Sequence, residues 1–283
     1  MKIPNELAAL INDGVIDEVL RPLKSGKEAT VYVVRTGSEL RCAKAYKNMA
    51  QRSFQQRARY QEGRQVRGSR AQRAIGKHSK FGRKEAEAAW KNTEVDALYQ
   101  LQAAGVRVPR PYVYIDGVLV MELVTGADGG AAPGLGTVEL TAAQARCHHA
   151  FLVQQVQLML CTGLIHGDLS EYNVLVDSHG PVIIDLPQAV NAAGNLAARA
   201  LLLRDVANIT ATLARSAPEL LATRYGEELW ALYAAGGLSP ASVLTGTFVD
   251  DDTPADVEGL QQVIEYAREE AEWRQLGREQ PQD

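Results

Sequence analysis

The stretch Ile165–Ala189, IHGDLSEYNVLVDSHGPVIIDLPQA, decides how the rest of the chain is read. Asp168 and Asn173 are five residues apart, and Asp185 lies twelve further on. Two short apolar runs, near Val174–Val176 and Val182–Ile184, read as strands that carry these polar residues at their ends. Phosphoryl transfer from a nucleoside triphosphate needs this inventory. One carboxylate must orient the attacking hydroxyl or accept its proton, and a neutral oxygen ligand with a second carboxylate must hold a divalent cation on the phosphates. The spacing matches HxDxxxxN followed by a strand and a metal-binding Asp.

Working upstream, Lys44 sits in the strand-like run Cys42-Ala43-Lys44-Ala45-Tyr46. Alone it reads as an edge-strand charge; with Asp168 downstream it reads as the lysine that contacts phosphate. Its partner is expected on the following helix, residues 85–103. There Trp90, Val95, Leu98 and Leu101 place Glu94 beside the buried face, with Glu87 as the competitor. Residues 25–32, SGKEATVY, offer one glycine between two strands in place of GxGxxG. Ser25, Lys27 and backbone N–H groups around Gly26 are the candidate phosphate contacts of that loop. After Asp185 come Leu186 and Pro187, and a proline without an N–H stiffens the turn.

Outward from these motifs, residues 3–20 read as a short amphipathic helix with Leu7, Leu10, Ile11 and Ile16 on one face. Residues 23–46 read as a hairpin with Thr36-Gly37 as a turn, and residues 113–124 as another, turning at Asp116-Gly117. The Gly-rich run 126–136 is a connector between lobes. Thr141 caps a helix running to about Cys161, and the remainder reads as mostly helical. The expected organisation is α+β: a small β-rich N-lobe over 1–124, a mostly helical C-lobe over 125–248, and an acidic helical tail over 249–283. A cleft between two lobes is a natural ligand site.

Composition sets outer bounds. The chain has 283 residues, of which 46% are hydrophobic and 23% charged, so a disordered, collagenous or coiled-coil chain is excluded. Three separated cysteines, Cys42, Cys147 and Cys161, form no metal knuckle and fit a reducing compartment. No signal-peptide apolar stretch and no run long enough to span a bilayer is visible, so a soluble cytoplasmic protein with no membrane partner is expected. The net charge of −4 hides a division. Residues 47–84 hold twelve Lys and Arg against Glu62 alone, leaving 18 basic and 33 acidic residues elsewhere. That segment reads as a solvated loop, a contact to RNA or ribosomal phosphates, or a regulatory flap with Ser53, Ser69 and Ser79 as modification sites.

SGKEATVY, CAKAY, HGDLSEYNVLV and IIDLPQAV together resemble the RIO family of atypical protein kinases over roughly residues 15–215, nearer its type-1 branch. The resemblance implies a two-lobed protein-kinase-like fold without a conventional activation segment, and the use of ATP with Mg²⁺ or Mn²⁺. By position it implies Lys44 on the phosphates, Asp168 as the catalytic Asp, and Asn173 and Asp185 as metal ligands. Met121, Glu122 and Leu123 would form the hinge, meeting adenine through backbone atoms. Activity is expected as a serine/threonine protein kinase able to phosphorylate itself. The alternatives are an ATPase switch on a ribosomal or RNA particle through a phosphorylated Asp185, and a small-molecule phosphotransferase. Asp205 is a candidate to hold the catalytic-loop backbone. His166 reads as a packing residue, Ala217-Pro218-Glu219 as a helix start, and Cys147-His148-His149 as too divergent on a helix to share a metal.

Overall fold

Helix α1 (Asn5–Asn12) buries Leu7 and Leu10 and stops well short of residue 20. Gly14, at φ +69°, ends it. The Gly14 N–H returns to the Ile11 carbonyl at 3.1 Å and the Val15 N–H to the Leu10 carbonyl at 2.9 Å, the reverse-turn pair that closes helices on a left-handed glycine. The freed chain enters strand β1 (Glu18–Ser25). The expected hairpin over 23–46 is therefore a three-stranded meander, β1, β2 (Ala29–Thr36) and β3 (Glu39–Tyr46). The strand expected ahead of Gly26 begins as early as Glu18; it is an edge strand, largely exposed, carrying Pro22 and two register irregularities against β2.

The computed structural model describes residues 4–26, 28–47 and 94–249. The candidate loop residue Lys27, the competitor Glu87, the three insert serines and nearly all of the basic segment and acidic tail fall outside them. Helix α2 covers residues 94–103, and β4 (Pro111–Ile115) and β5 (Val118–Glu122) follow. The hairpin between these strands turns at Asp116 and Gly117 with φ +49° and +80°, the paired positive angles of a twist-matched two-residue loop. The five strands form one antiparallel sheet in the order β1-β2-β3-β5-β4.

Alternation gives this sheet two apolar faces. Val34, Ala43, Val118 and Val120 pack against Leu7 and Leu10 of α1 with Ile16 and Val19. Each fully buried leucine there contributes on the order of 2 kcal/mol. The opposite face gathers Val33, Cys42 and Leu123 with Leu23, Val31 and Met121.

The C-terminal part is built on α3 (Ala142–Cys161), opened by a capping box between Thr141 and Gln144. Short strands β6 (Leu164–Ile165) and β9 (Val190–Asn191) pair, as do β7 (Val174–Asp177) and β8 (Gly180–Ile183). Then come α4 (Ala198–Leu213), a 3₁₀ turn at Pro218–Ala222 and α5 (Tyr225–Ala234). Residues 184–197 alone join β8 to α4, so no long activation segment intervenes. The architecture is the two-lobed α+β fold expected. Ala217-Pro218-Glu219 does start a helix, a short 3₁₀ one with Ala217 as its cap, and Glu219 pairs with Arg146 of α3 at 2.6 Å. Among the described residues, no helix is long and apolar enough to cross a membrane.

Buried polar groups on α3 are each partnered across the core. Gln157 donates to the carbonyls of Ser239 and Ser242 at 2.7 and 2.9 Å. His149 and Thr210 of α4 share a hydrogen bond of 2.8 Å, while Cys147 is exposed, so the two side chains do not converge. Burial holds the His149 imidazole below its ordinary value of 6.5. The unfolded chain therefore takes up a proton that the folded chain resists, and this residue's contribution to stability is lost as pH falls from 6.5 through its lower folded value. The melting temperature should drop more between pH 7.5 and 5.5 in the wild type than in His149→Gln; parallel curves would contradict this.

Candidate active site

Lys44 lies on the cleft face of β3, between Cys42 and Tyr46, and is only 9% exposed. A lone buried ammonium is unfavourable, and this one has two carboxylates. Its Nζ donates to Glu94 Oε1 at the start of the described part of α2, and to Asp185 Oδ1 at 2.7 Å beyond β8. Burial pulls the Lys44 pKa down, but the two carboxylates outweigh it and hold the group charged. Burial likewise pushes Asp185 up, and the Lys44 ammonium more than reverses that, keeping the carboxyl below the usual carboxylate range. Tyr46 donates its hydroxyl to Glu94 Oε2 at 2.7 Å, so both oxygens of Glu94 are engaged. The Asp185 side chain remains 47% exposed, so its second oxygen is reachable from the cleft.

The loop around Asp168 is held by its backbone. Asp205 of α4 is buried and accepts the N–H groups of Gly167 and Leu169 at 2.7 and 3.0 Å. Arg204 donates to the Gly167 carbonyl, and Asn208 to the Leu169 carbonyl at 3.0 Å. Consecutive peptide groups on both sides of Asp168 are thus gripped by one helix. Burial pushes the Asp205 carboxyl up to about 7, against the two N–H donors and Arg204, which hold it down. The Asp168 N–H donates to His166 Nδ1 at 3.3 Å, and His166 Nε2 reaches the Ile184 carbonyl at 3.1 Å. Burial lowers the His166 pKa, and a neutral ring accepting at Nδ1 carries its proton on Nε2. This histidine bridges the two loops that carry Asp168 and Asp185.

Asn173 completes the connection. Its Nδ2 donates to the Asp168 carbonyl at 2.9 Å and more loosely to Asp168 Oδ2 at 3.4 Å, and its own carbonyl accepts the Ile184 N–H at 2.9 Å. Among the described residues no donor meets Asn173 Oδ1 or Asp185 Oδ2. One amide oxygen and one carboxylate oxygen make a hard donor pair that suits Mg²⁺ with phosphate oxygens and water as the other ligands. Asp185 adopts φ +68°, which is uncommon for a residue with a Cβ but more accessible to Asp than to most. The next side chain, Leu186, is 1% exposed and anchors the turn in the core.

The loop after β1 differs from the expectation in detail. The Gly26 N–H is used within the turn, donating to the Ala29 carbonyl at 2.9 Å, so it is not free for phosphate while the turn is closed. Ser25 Oγ lies 3.2 Å from Thr30 Oγ1. Lys47, read from the sequence only as the first residue of the basic segment, donates to the Gly26 carbonyl at 2.7 Å and to Ser25 Oγ at 3.2 Å. No motif marks it; only the β2–β3 register brings it beneath the loop. At the end of β5, Met121 and Leu123 pack with Val33 and Cys42. The Glu122 carboxylate accepts from Arg107 instead, at 3.2 and 3.3 Å. A second apolar cluster gathers Val124, Ala132 and Val182 with Leu175 and Ile184.

A protein-family model described as the RIO domain matches residues 30–225, which include β3, both loops and α4. The chain belongs to the RIO family. It is 32% identical over 183 residues to the RIO-type serine/threonine-protein kinase Rio1 of Haloferax volcanii, covering 64% of this chain and 58% of that protein. It is 30% identical over 204 residues to the protein of the same name from Methanocaldococcus jannaschii, covering 72% of this chain and 65% of the relative. Against the human serine/threonine-protein kinase RIO1 the identity is 31%, covering 65% of this chain and 31% of the human protein. The chain therefore spans less than two thirds of the length of these relatives. Within the RIO match lie Lys44, Glu94, Asp168, Asn173, Asp185 and Asp205, while α1 and the loop residues Ser25 and Gly26 precede it.

Gly167 in this site has no room for a side chain. It sits at φ +78°, and a Cβ there would lie 2.6 Å from the Gln188 carbonyl oxygen. Gly167→Ala should destabilise the fold by about 1–3 kcal/mol in denaturant titration and displace Asp168. Wild-type stability in that variant would show that the loop adapts freely.

Proposed function

We propose that this RIO chain is an ATP- and Mg²⁺-dependent serine/threonine protein kinase that transfers a phosphoryl group to protein hydroxyls, its own included. The reading is carried by one observation: Lys44, paired with both Glu94 and Asp185, ties the N-lobe sheet to the loops bearing Asp168 and Asn173. RIO kinases as a family imply ATP, and the donor set at Asn173 and Asp185 fits the cation that accompanies it.

In this reading the roles divide as follows. Lys44 places its ammonium on the nucleotide phosphates, kept charged and fixed by Glu94, which Tyr46 orients in turn. Asn173 and Asp185 would hold Mg²⁺, which neutralises phosphate charge as the bond to the leaving oxygen breaks. Asp168 accepts a hydrogen bond from the attacking hydroxyl and takes its proton as the oxygen bonds to phosphorus and ADP leaves. Met121, Glu122 and Leu123 present the adenine hinge, and the loop at Ser25 and Gly26, braced by Lys47, covers the phosphates. The free cysteines agree with a reducing, cytoplasmic location.

Incubation with γ-labelled ATP and Mg²⁺ tests the reading. Phosphoserine or phosphothreonine should form on the chain or on an added protein substrate. Asp168→Ala should lower the transfer rate by about 10²–10⁴-fold. Asp185→Ala should lose metal-dependent turnover, and Lys44→Ala should weaken nucleotide use. Phosphate release with no protein labelling would replace the kinase reading with an ATPase, and full activity in Asp168→Ala would remove the site assignment. The composition of segment 47–84 supports a contact with RNA phosphates. Such binding should weaken steeply as salt is raised from 50 to 200 mM, and salt-independent binding would count against it.

A further inference from the structure

Arg107 belongs to none of the motifs, yet it joins Glu122, Asp177, Gln155 and Ile183. It lies between α2 and β4. Its guanidinium donates through Nη1 and Nη2 to Glu122 of the hinge at 3.3 and 3.2 Å, and through Nη2 to Asp177 at the end of β7 at 2.7 Å. Its backbone is fixed independently. The N–H donates to Gln155 of α3, a side chain only 4% exposed, at 2.7 Å, and the carbonyl accepts the Ile183 N–H of β8 at 2.9 Å. Three residues on, Arg110 exchanges two more bonds with Glu122, its N–H donating to the carboxylate at 3.0 Å and its carbonyl accepting the Glu122 N–H at 2.8 Å.

Asp177 is itself held, accepting the N–H groups of His179 and Gly180 in the β7–β8 turn, and its side chain is 6% exposed. A planar fork between a shielded and a half-shielded carboxylate fixes direction as well as distance, unlike a solvated surface pair. What it fixes is specific. The sheet-side apolar cluster of Leu23, Val31, Val33, Cys42, Met121 and Leu123 meets the hinge from one lobe. Leu175 of β7 and Ile184, just past β8, meet it from the other.

We propose that Arg107 is a positioning residue that sets the separation of these two apolar surfaces, and so the fit of a purine base between them. The inference rests on the reading of Met121–Leu123 as the adenine hinge. It acts on the base and not on the phosphates, because Lys44, Asn173 and Asp185 are held by other contacts.

The test compares ATP·Mg²⁺ with inorganic tripolyphosphate·Mg²⁺, which has no base, by calorimetric binding to the full chain, together with steady-state kinetics. Arg107→Gln should raise the Kd and KM for ATP roughly fivefold or more, with kcat within about twofold and tripolyphosphate binding unchanged. Glu122→Gln should do the same, and the double variant should be no worse than either single one. Arg107→Lys, which keeps the charge without the fork, should fall between and serves if the glutamine variant does not fold. Equal weakening of ATP and tripolyphosphate would overturn the proposal, as would a loss of kcat at constant KM or unchanged ATP binding in both Arg107→Gln and Glu122→Gln. A wild-type chain that binds no ATP would overturn the kinase reading and this inference together. Wild-type binding with insensitive variants would overturn only the inference.

Discussion

The ammonium of Lys44 is the constraint around which the molecule is arranged. A charge this buried is tolerated only with close counter-charges, and removing one partner of such a pair typically costs about 3–5 kcal/mol. The counter-charges come from two places distant in the chain, Glu94 and Asp185. The sheet, the helix that follows it and the hairpin of the second lobe must therefore meet at one point. Tyr46 uses the remaining oxygen of Glu94, so that carboxylate has little freedom. Asp185 keeps an accessible oxygen, and the asymmetry separates a structural partner from one that can still meet a ligand.

The second organising element is α4, which works on backbone groups. Asp205, Arg204 and Asn208 share one side of the helix and take hold of the Gly167 and Leu169 peptides. The side chain between those peptides, Asp168, is positioned without being consumed as a structural ligand. His166 then ties this loop to the carbonyl just before Asp185. Left-handed backbone occurs where the packing demands it, at Gly167 because the Gln188 carbonyl leaves no room for a Cβ, and at Asp185 because buried Leu186 fixes the turn. The result is a candidate site whose polar side chains are held from behind.

Much of this was legible in the residues. Asp168, Asn173 and Asp185 stand at offsets that two short strands make into neighbours, and Asp116-Gly117 has the backbone freedom its hairpin requires. Glu94 was legible because helical periodicity puts it beside the face of Leu98 and Leu101. Less visible were features defined by exposure. Strand β1 has no apolar alternation because water covers it, and the end of α1 at Gly14 was hidden by the apolar residues that continue beyond the glycine into Ile16 and Val19. The basic segment and acidic tail, the clearest compositional features of the chain, lie almost wholly outside the described residues.

By itself the sequence determined the polar inventory of the candidate site and its order, because motif offsets and strand periods are short-range properties of the chain. Only the tertiary structure decided which groups act on one another across long separations. Arg107 joining Glu122 to Asp177, Lys47 reaching the turn at Gly26, and Asp205 gripping Gly167 each link residues between 15 and 70 positions apart. Nothing local marks an arginine or a lysine for such a partner. Burial and strand register select it, and those exist only once the chain has folded.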